Sequence, residues 1–177
     1  MRAGDFGPIE RAAEKVKKKE YKTSALLGTH ETPGGRWVTD SYRMHWDCPQ
    51  EELPKAAAGF IEKLERIEWR KWEVTEDFRR WLKVCVKVDE RTPVRAEAAG
   101  WRYYRNDVGT FQFGGAPGVA QKAGMNPKYL GDALDFLLGG TKKAVTIEIR
   151  MSADTLEAWW FRRDGRNAIV MPIELHN

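Results

Sequence analysis

The sequence predicts an α+β fold in which helices pack on antiparallel β-sheets and one helix-plus-strands unit is used more than once. Three observations carry this. Apolar residues recur at i, i+3, i+4 and i+7 over 8–20, 54–66 and 126–138. Between these segments lie runs that alternate apolar and polar residues, above all V-T-I-E-I-R-M at 145–151. Short turn signals separate neighbouring runs: T-P-G-G at 32–35 and Asp164-Gly165.

In the first helix Pro8 suits the opening turn, and Ile9, Ala12, Ala13 and Val16 form the buried face. Two strands follow at 23–30 and 36–46, joined into a hairpin. Leu53-Pro54 opens the second helix, with Ala57, Phe60, Ile61 and Leu64 facing the core. Residues 67–88 carry both patterns. Phe78, Trp81, Leu82 and Cys85 share a helical face, while K-V-C-V-K-V alternates like a strand, and periodicity leaves both open. Residues 91–122 are β-rich, with aromatic runs W-R-Y-Y-R and T-F-Q-F.

The last segment has the clearest signals. Asn126 is an N-cap, Pro127 the first helical residue, Leu130, Ala133, Leu134 and Leu137 the buried face, and Gly139-Gly140 the stop. Asp132 and Asp135 fall on the exposed side, as solvated carboxylates. Three strands follow, and the closing one, 169–175, holds Pro172 near its middle. Proline donates nothing to a ladder, so this strand is expected at a sheet edge or a bulge. The helix–strand units at the two ends are alike in pattern rather than in sequence, which makes the repeat pseudo-symmetric. Two clamp-like units are expected, 1–75 and 76–177.

The 177 residues carry a net charge of +4 and 32% charged side chains, which favours a polyanionic partner. The cysteines, Cys48 and Cys85, are expected to be reduced thiols of a cytoplasmic protein. No run approaches the roughly 18 apolar residues of a membrane span, and M-R-A-G-D-F-G-P lacks a signal-peptide core. Known chemical constellations are missing from the sequence. His30, His45 and His176 form no metal-ligand spacing, there is no CxxC pair, no G-x-S-x-G elbow and no phosphate loop. A non-enzyme without metal or cofactor is expected.

Two stretches carry a resemblance. V-T-D-S-Y-R-M (38–44) resembles the "ATDGYRLA" strand of the bacterial DNA polymerase III β sliding clamp family. M-N-P-K-Y-L-G-D-A-L-D-F-L with V-T-I-E-I-R and V-M-P-I-E-L resembles that family's last helix, penultimate strands and C-terminal "VMPMRL". E-D-F-R-R-W-L (76–82) is similar to its "PDYRRVLP" linker. Residues 84–122 align with none of it. The chain resembles a contracted form of the last two domains of a bacterial clamp, of the kind a phage encodes.

The resemblance implies a DNA-clamp fold: a ring of six similar domains, each with two helices on antiparallel sheets, threaded by double-stranded DNA. The implied partners are duplex DNA, a DNA polymerase, a clamp loader and further copies of the chain, three if each holds two domains. Such a ring needs cations aimed at phosphates without base readout. Arg11, Lys15, Lys18 and Lys22 share one side of the first helix, and Lys55, Lys63 and Arg66 are candidates on the second. A peptide-docking pocket is implied at Thr39, Ser41, Tyr42, Arg43 and Met44, with Trp81 from the linker and Ile169, Met171, Pro172 and Ile173 from the closing strand. The chain departs from the family in having Glu174 for arginine, Glu76 for proline and a bulkier Trp81 for valine. Two other readings compete. One is a clamp-fold peptide decoy or transcription coactivator that does not encircle DNA. The other is a single-strand binder stacking bases on Trp101, Tyr103, Tyr104, Phe111 and Phe113.

Overall fold

A computed structural model of the chain describes residues 2–19, 26–87, 97–98, 101–103, 111–113, 123–151 and 157–174. The elements run α1 (Gly7–Lys19), β1 (Gly28–Thr32), β2 (Gly35–Thr39), β3 (Arg43–Trp46), α2 (Lys55–Glu65), β4 (Arg70–Val74), α3 (Glu76–Lys87), β5 (Glu97–Ala98), β6 (Trp101–Tyr103), β7 (Phe111–Phe113) and β8 (Ala123–Met125). They continue as α4 (Pro127–Leu138), β9 (Val145–Arg150), β10 (Trp159–Arg163), β11 (Arg166–Val170) and β12 (Ile173–Glu174). Among the described residues the class is α+β, with four helices and a seven-stranded antiparallel sheet of order β1-β2-β3-β11-β10-β9-β4. A second antiparallel sheet has the order β12-β8-β7-β6-β5.

The larger sheet joins two meanders, β1-β2-β3 and β9-β10-β11, which meet where β11 pairs with β3. A helix precedes each meander, α1 the first and α4 the second. The boundary expected at 75/76 falls between β4 and α3. Strands from both sides of it share this sheet, because β3 pairs with β11 and β4 with β9.

Strand alternation sends successive side chains to opposite faces, and each face has its own core. Val38, Trp72, Val74, Ile147, Ile149, Trp159, Phe161, Ala168 and Val170 meet Ile9 of α1, Phe78 and Leu82 of α3, and the apolar stripe of α4. On the other face Trp37, Met44, Trp46, Trp160 and Ile169 meet Ile61 and Leu64 of α2. Among the described residues the larger sheet thus carries three helices on one side and one on the other. Cys48 and Cys85 are each free and buried, in different cores.

Local chemistry explains the boundaries. Residues 76–87 settle as helix, because Thr75 Oγ1 accepts the Phe78 amide at 3.1 Å and caps the start. Asn126 Oδ1 accepts the Lys128 amide at 2.9 Å, and Gly139 leaves α4 at φ 63°. Asp164 and Gly165 both take positive φ, 48° and 74°, the turn that matches the twist of β10 and β11.

Three expectations are corrected. The strand at 36–46 is two strands, because Asp40 Oδ1 accepts the amides of Tyr42 and Arg43, both at 3.1 Å, and Ser41 turns the chain at φ 78°. The closing strand is also two. β11 is internal to its sheet rather than at an edge. The Met171 amide makes the last bond of that ladder region, to the Tyr42 carbonyl at 3.0 Å, and after Pro172 the chain crosses to β8 of the second sheet. Asp132 and Asp135 are paired rather than merely solvated. Asp132 binds Arg43 at 2.6 Å and Lys128 at 3.1 Å, and Asp135 binds Arg79 at 2.7 Å. Arg79 also donates to the carbonyls of Gly139 and Thr141, satisfying the C-terminal end of α4 from α3. Among the described residues no helix is long and apolar enough to cross a membrane.

Candidate functional site

The hairpin tip at 40–43 and the end of β11 bring the two distant motifs together. Thr39, Ser41, Tyr42, Arg43 and Met44 line one cavity of about 280 Å³ with Ile169 and Met171. The pairing that does this is Met44 opposite Ile169, with the Met171 amide on the Tyr42 carbonyl. Leu26, Leu27 and Trp37 add to the wall, and Pro54, Ala56, Ala57 and Phe60 close it from α2. The lining is apolar except at the tip, where the Thr39 hydroxyl already has partners. Thr39 Oγ1 donates to the Arg43 carbonyl at 2.7 Å and accepts the Ser41 amide at 3.1 Å.

Tyr42 and Phe60 flank the cavity mouth and are 50% and 51% exposed, two of three large apolar side chains so exposed among the described residues. The helical spacing of α2 puts Phe60 on the core face with Ile61 and Leu64. The apolar stripe of α2 is wider than the face the sheet can cover, so Ile61 and Leu64 are buried and Phe60 is left at the rim. That excess width is the signal by which sequence could have placed α2 here. Leu26, Leu27 and Trp37 gave no such signal, because they read as ordinary core.

Other residues expected at the pocket lie elsewhere. Trp81 packs against the three-helix core, its ring 5.5 Å from Phe78, since helix formation at 76–87 turns it with Phe78 and Leu82. Pro172 marks the step between sheets, and Ile173 lies in β12 against Gly124. Arg43 borders the cavity through its strand, but its guanidinium is fully buried on the opposite face. It binds Asp40 at 2.9 Å and Asp132 at 2.6 Å and lies 4.5 Å over the Tyr129 ring. Burial, with Asp40 adding to it, pushes the Tyr129 hydroxyl above its usual pKa.

His45 follows on the same face, stacked on Phe136 at 4.9 Å. Burial, and then the nearby Arg43 charge, holds its imidazole well below the usual value. Burial pushes the Cys85 thiol up to about 11, so it is not a poised nucleophile.

The cation set divides. Arg11, Lys15 and Lys18 form an exposed stripe on α1, on the three-helix side. Lys55, Lys63 and Arg66 are exposed on or beside α2, across the sheet, so a single duplex cannot rest on both groups. Lys22 and Tyr104 lie outside the described residues, while Trp101, Tyr103, Phe111 and Phe113 fall in β6 and β7. Pairing of Asp132 and Asp135 with Arg43, Lys128 and Arg79 offsets the negative charge of α4. Comparison of the chain with protein-family models, curated proteins and solved structures gives no match.

Proposed function

We propose that the chain is a docking protein of the sliding-clamp kind, which holds a DNA polymerase to duplex DNA. The cavity takes apolar anchor residues of a polymerase peptide, and the α1 stripe rests on phosphates. One observation carries this reading: motifs about 130 residues apart, each resembling a clamp motif, line one apolar cavity with half-exposed aromatic residues at its mouth. A cavity of about 150 Å³ holds a benzene ring, so about 280 Å³ suits two large side chains. Met44, Met171 and Ile169 form an adaptable apolar wall. Among the described residues Arg11, Lys15 and Lys18 on α1 make no ion pair, which suits them to phosphates that slide past.

The ring follows from the same reading with altered arithmetic. If each clamp unit is one sheet carrying two helices such as α1 and α4, this chain supplies one unit and six copies close a ring. A second reading, a docking protein that uses the same cavity without encircling DNA, holds if the chain stays monomeric.

Primer extension by the cognate polymerase on circular and linear templates tests the function. A ring is retained on closed circles and slides off free ends, whereas equal retention on both excludes encirclement. Met171→Asp places a carboxylate in the cavity wall and is expected to abolish stimulation while leaving the oligomer intact by light scattering. Stimulation that survives would put the docking site elsewhere.

A further inference from the structure

The tip that carries the cavity mouth is fastened from the opposite side of the sheet. Tyr42 stands at the mouth, and the next residue, Arg43, sends its guanidinium away from the cavity to α4. Arg43 Nη1 meets Asp132 Oδ2 at 2.6 Å, and its side chain is 0% exposed. Its Nε meets Asp40 Oδ2 at 2.9 Å, and Asp40 Oδ1 holds the Tyr42 and Arg43 amides. One guanidinium therefore joins α4 to the carboxylate that shapes the turn. Tyr42 itself lies 6.2 Å from the Tyr129 ring of α4, so both links from tip to helix run to the same turn of α4.

Asp132 Oδ2 is also shared. Lys128 Nζ reaches the same oxygen at 3.1 Å, and Lys128 is 58% exposed on the first turn of α4. Two cations converging on one carboxylate oxygen repel each other and divide its hydrogen-bonding capacity. Withdrawing Lys128, as a phosphate on the helix side would do, leaves Asp132 to Arg43 alone.

We infer that Arg43 is a positioning residue that couples the cavity mouth to the helix face through Asp132, with Lys128 as the exposed handle that loosens or tightens the link. This rests on the docking and DNA reading above for its purpose, but its physical content is separate. A polyanion that captures Lys128 firms the 40–43 turn and strengthens docking. By linkage a docked peptide strengthens polyanion binding by the same factor.

Amide hydrogen exchange on the full chain tests the coupling without DNA or peptide. Lys128→Met is expected to slow exchange at Tyr42 and Arg43, and Asp132→Asn to speed it, with the β9 amides unchanged in both as a control for folding. Unchanged exchange at Tyr42 and Arg43 in both variants would overturn the inference. A second arm measures a fluorescein-labelled Gly-Ser-Leu-Phe-Gly-Ser peptide by anisotropy, with and without a short duplex DNA. The duplex is expected to raise peptide affinity about fivefold or more in the wild type, and to have no such effect in Lys128→Met. Exchange that shifts as expected while the peptide fails to bind supports the coupling and counts against the docking reading. Binding of both probes with no mutual effect in the wild type counts against the coupling and leaves the docking reading standing.

Discussion

Replacing Arg43 by methionine gives a sharp test of how the hairpin tip is held. The methionine keeps an apolar stem of similar reach but removes a guanidinium with no exposed side-chain surface. Asp40, 2% exposed, is left without its guanidinium partner at Oδ2, while Oδ1 keeps the amides of Tyr42 and Arg43. Asp132 is 17% exposed and retains Lys128, so it loses less. Removing one partner of a buried pair costs about 3–5 kcal/mol. The surviving amide bonds and the partial exposure of Asp132 put the expected loss near the lower end, about 3 kcal/mol. At about 2–4 °C per kcal/mol for a chain of this size, Tm falls by about 6–12 °C. Adding Asp40→Asn removes the orphaned charge, so the double variant is expected to be more stable than the sum of the single losses by about 1–2 kcal/mol. Urea titration followed by tryptophan fluorescence measures each corner of the cycle. A loss below about 1 kcal/mol for Arg43→Met, or strict additivity in the double variant, would refute the idea that this buried pair holds the turn.

Acid sensitivity should trace to His45. Its folded pKa lies well below the ordinary 6.5, through burial and then Arg43, and neither ring nitrogen has a hydrogen-bond partner among the described residues. The unfolded chain therefore takes up a proton below about pH 6.5 that the folded chain refuses. The stability is full above that pH and declines as pH falls, by up to about 1.4 kcal/mol per unit until the folded value is reached. His45→Phe, which can keep the stack on Phe136, is expected to flatten this part of the pH profile, and an unchanged slope would show that another group is responsible. At the cavity mouth, Phe60→Ala should weaken peptide docking at least tenfold while leaving folding stability within about 0.5 kcal/mol, since the ring is half exposed at the rim and surface changes away from special features stay within that range. Calorimetry for binding and thermal melts for stability separate the two. On α1, Lys15→Glu with Lys18→Glu should lower DNA affinity and reduce the slope of log K against log salt by about two; an unchanged slope would move the DNA contact off α1.

Much of the fold is legible in short stretches of the chain. The starts of α1, α2 and α4 follow from Pro8, Pro54 and Asn126-Pro127, the end of α4 from Gly139, and the β10–β11 turn from Asp164-Gly165. The site is half legible. The motif residues 39, 41–44, 169 and 171 share the cavity, but D-S-Y carries neither Gly nor Pro and so reads as strand rather than turn. Its turn depends on the Asp40 side chain accepting two amides, which is a weaker local signal than Asn-Gly. Trp81 follows the 3.6-residue spacing of Phe78, Trp81, Leu82 and Cys85 into the core rather than the likeness to an extended linker.

What the sequence determines by itself is local: helix caps, the primed turn, and the alternation that gives each strand two faces. These depend on residues within a few positions of one another, where steric preference and side-chain-to-backbone bonds act without distant partners. Only the tertiary structure decides that β3 pairs with β11, that α2 stands alone on one side of the sheet, and that Arg43 points away from the cavity its own strand borders. A strand with two apolar faces has no preferred partner or side until the rest of the chain is buried against it. Which face receives the charge is then set by where a carboxylate can meet it, and for Arg43 that is Asp132, 89 positions along the chain.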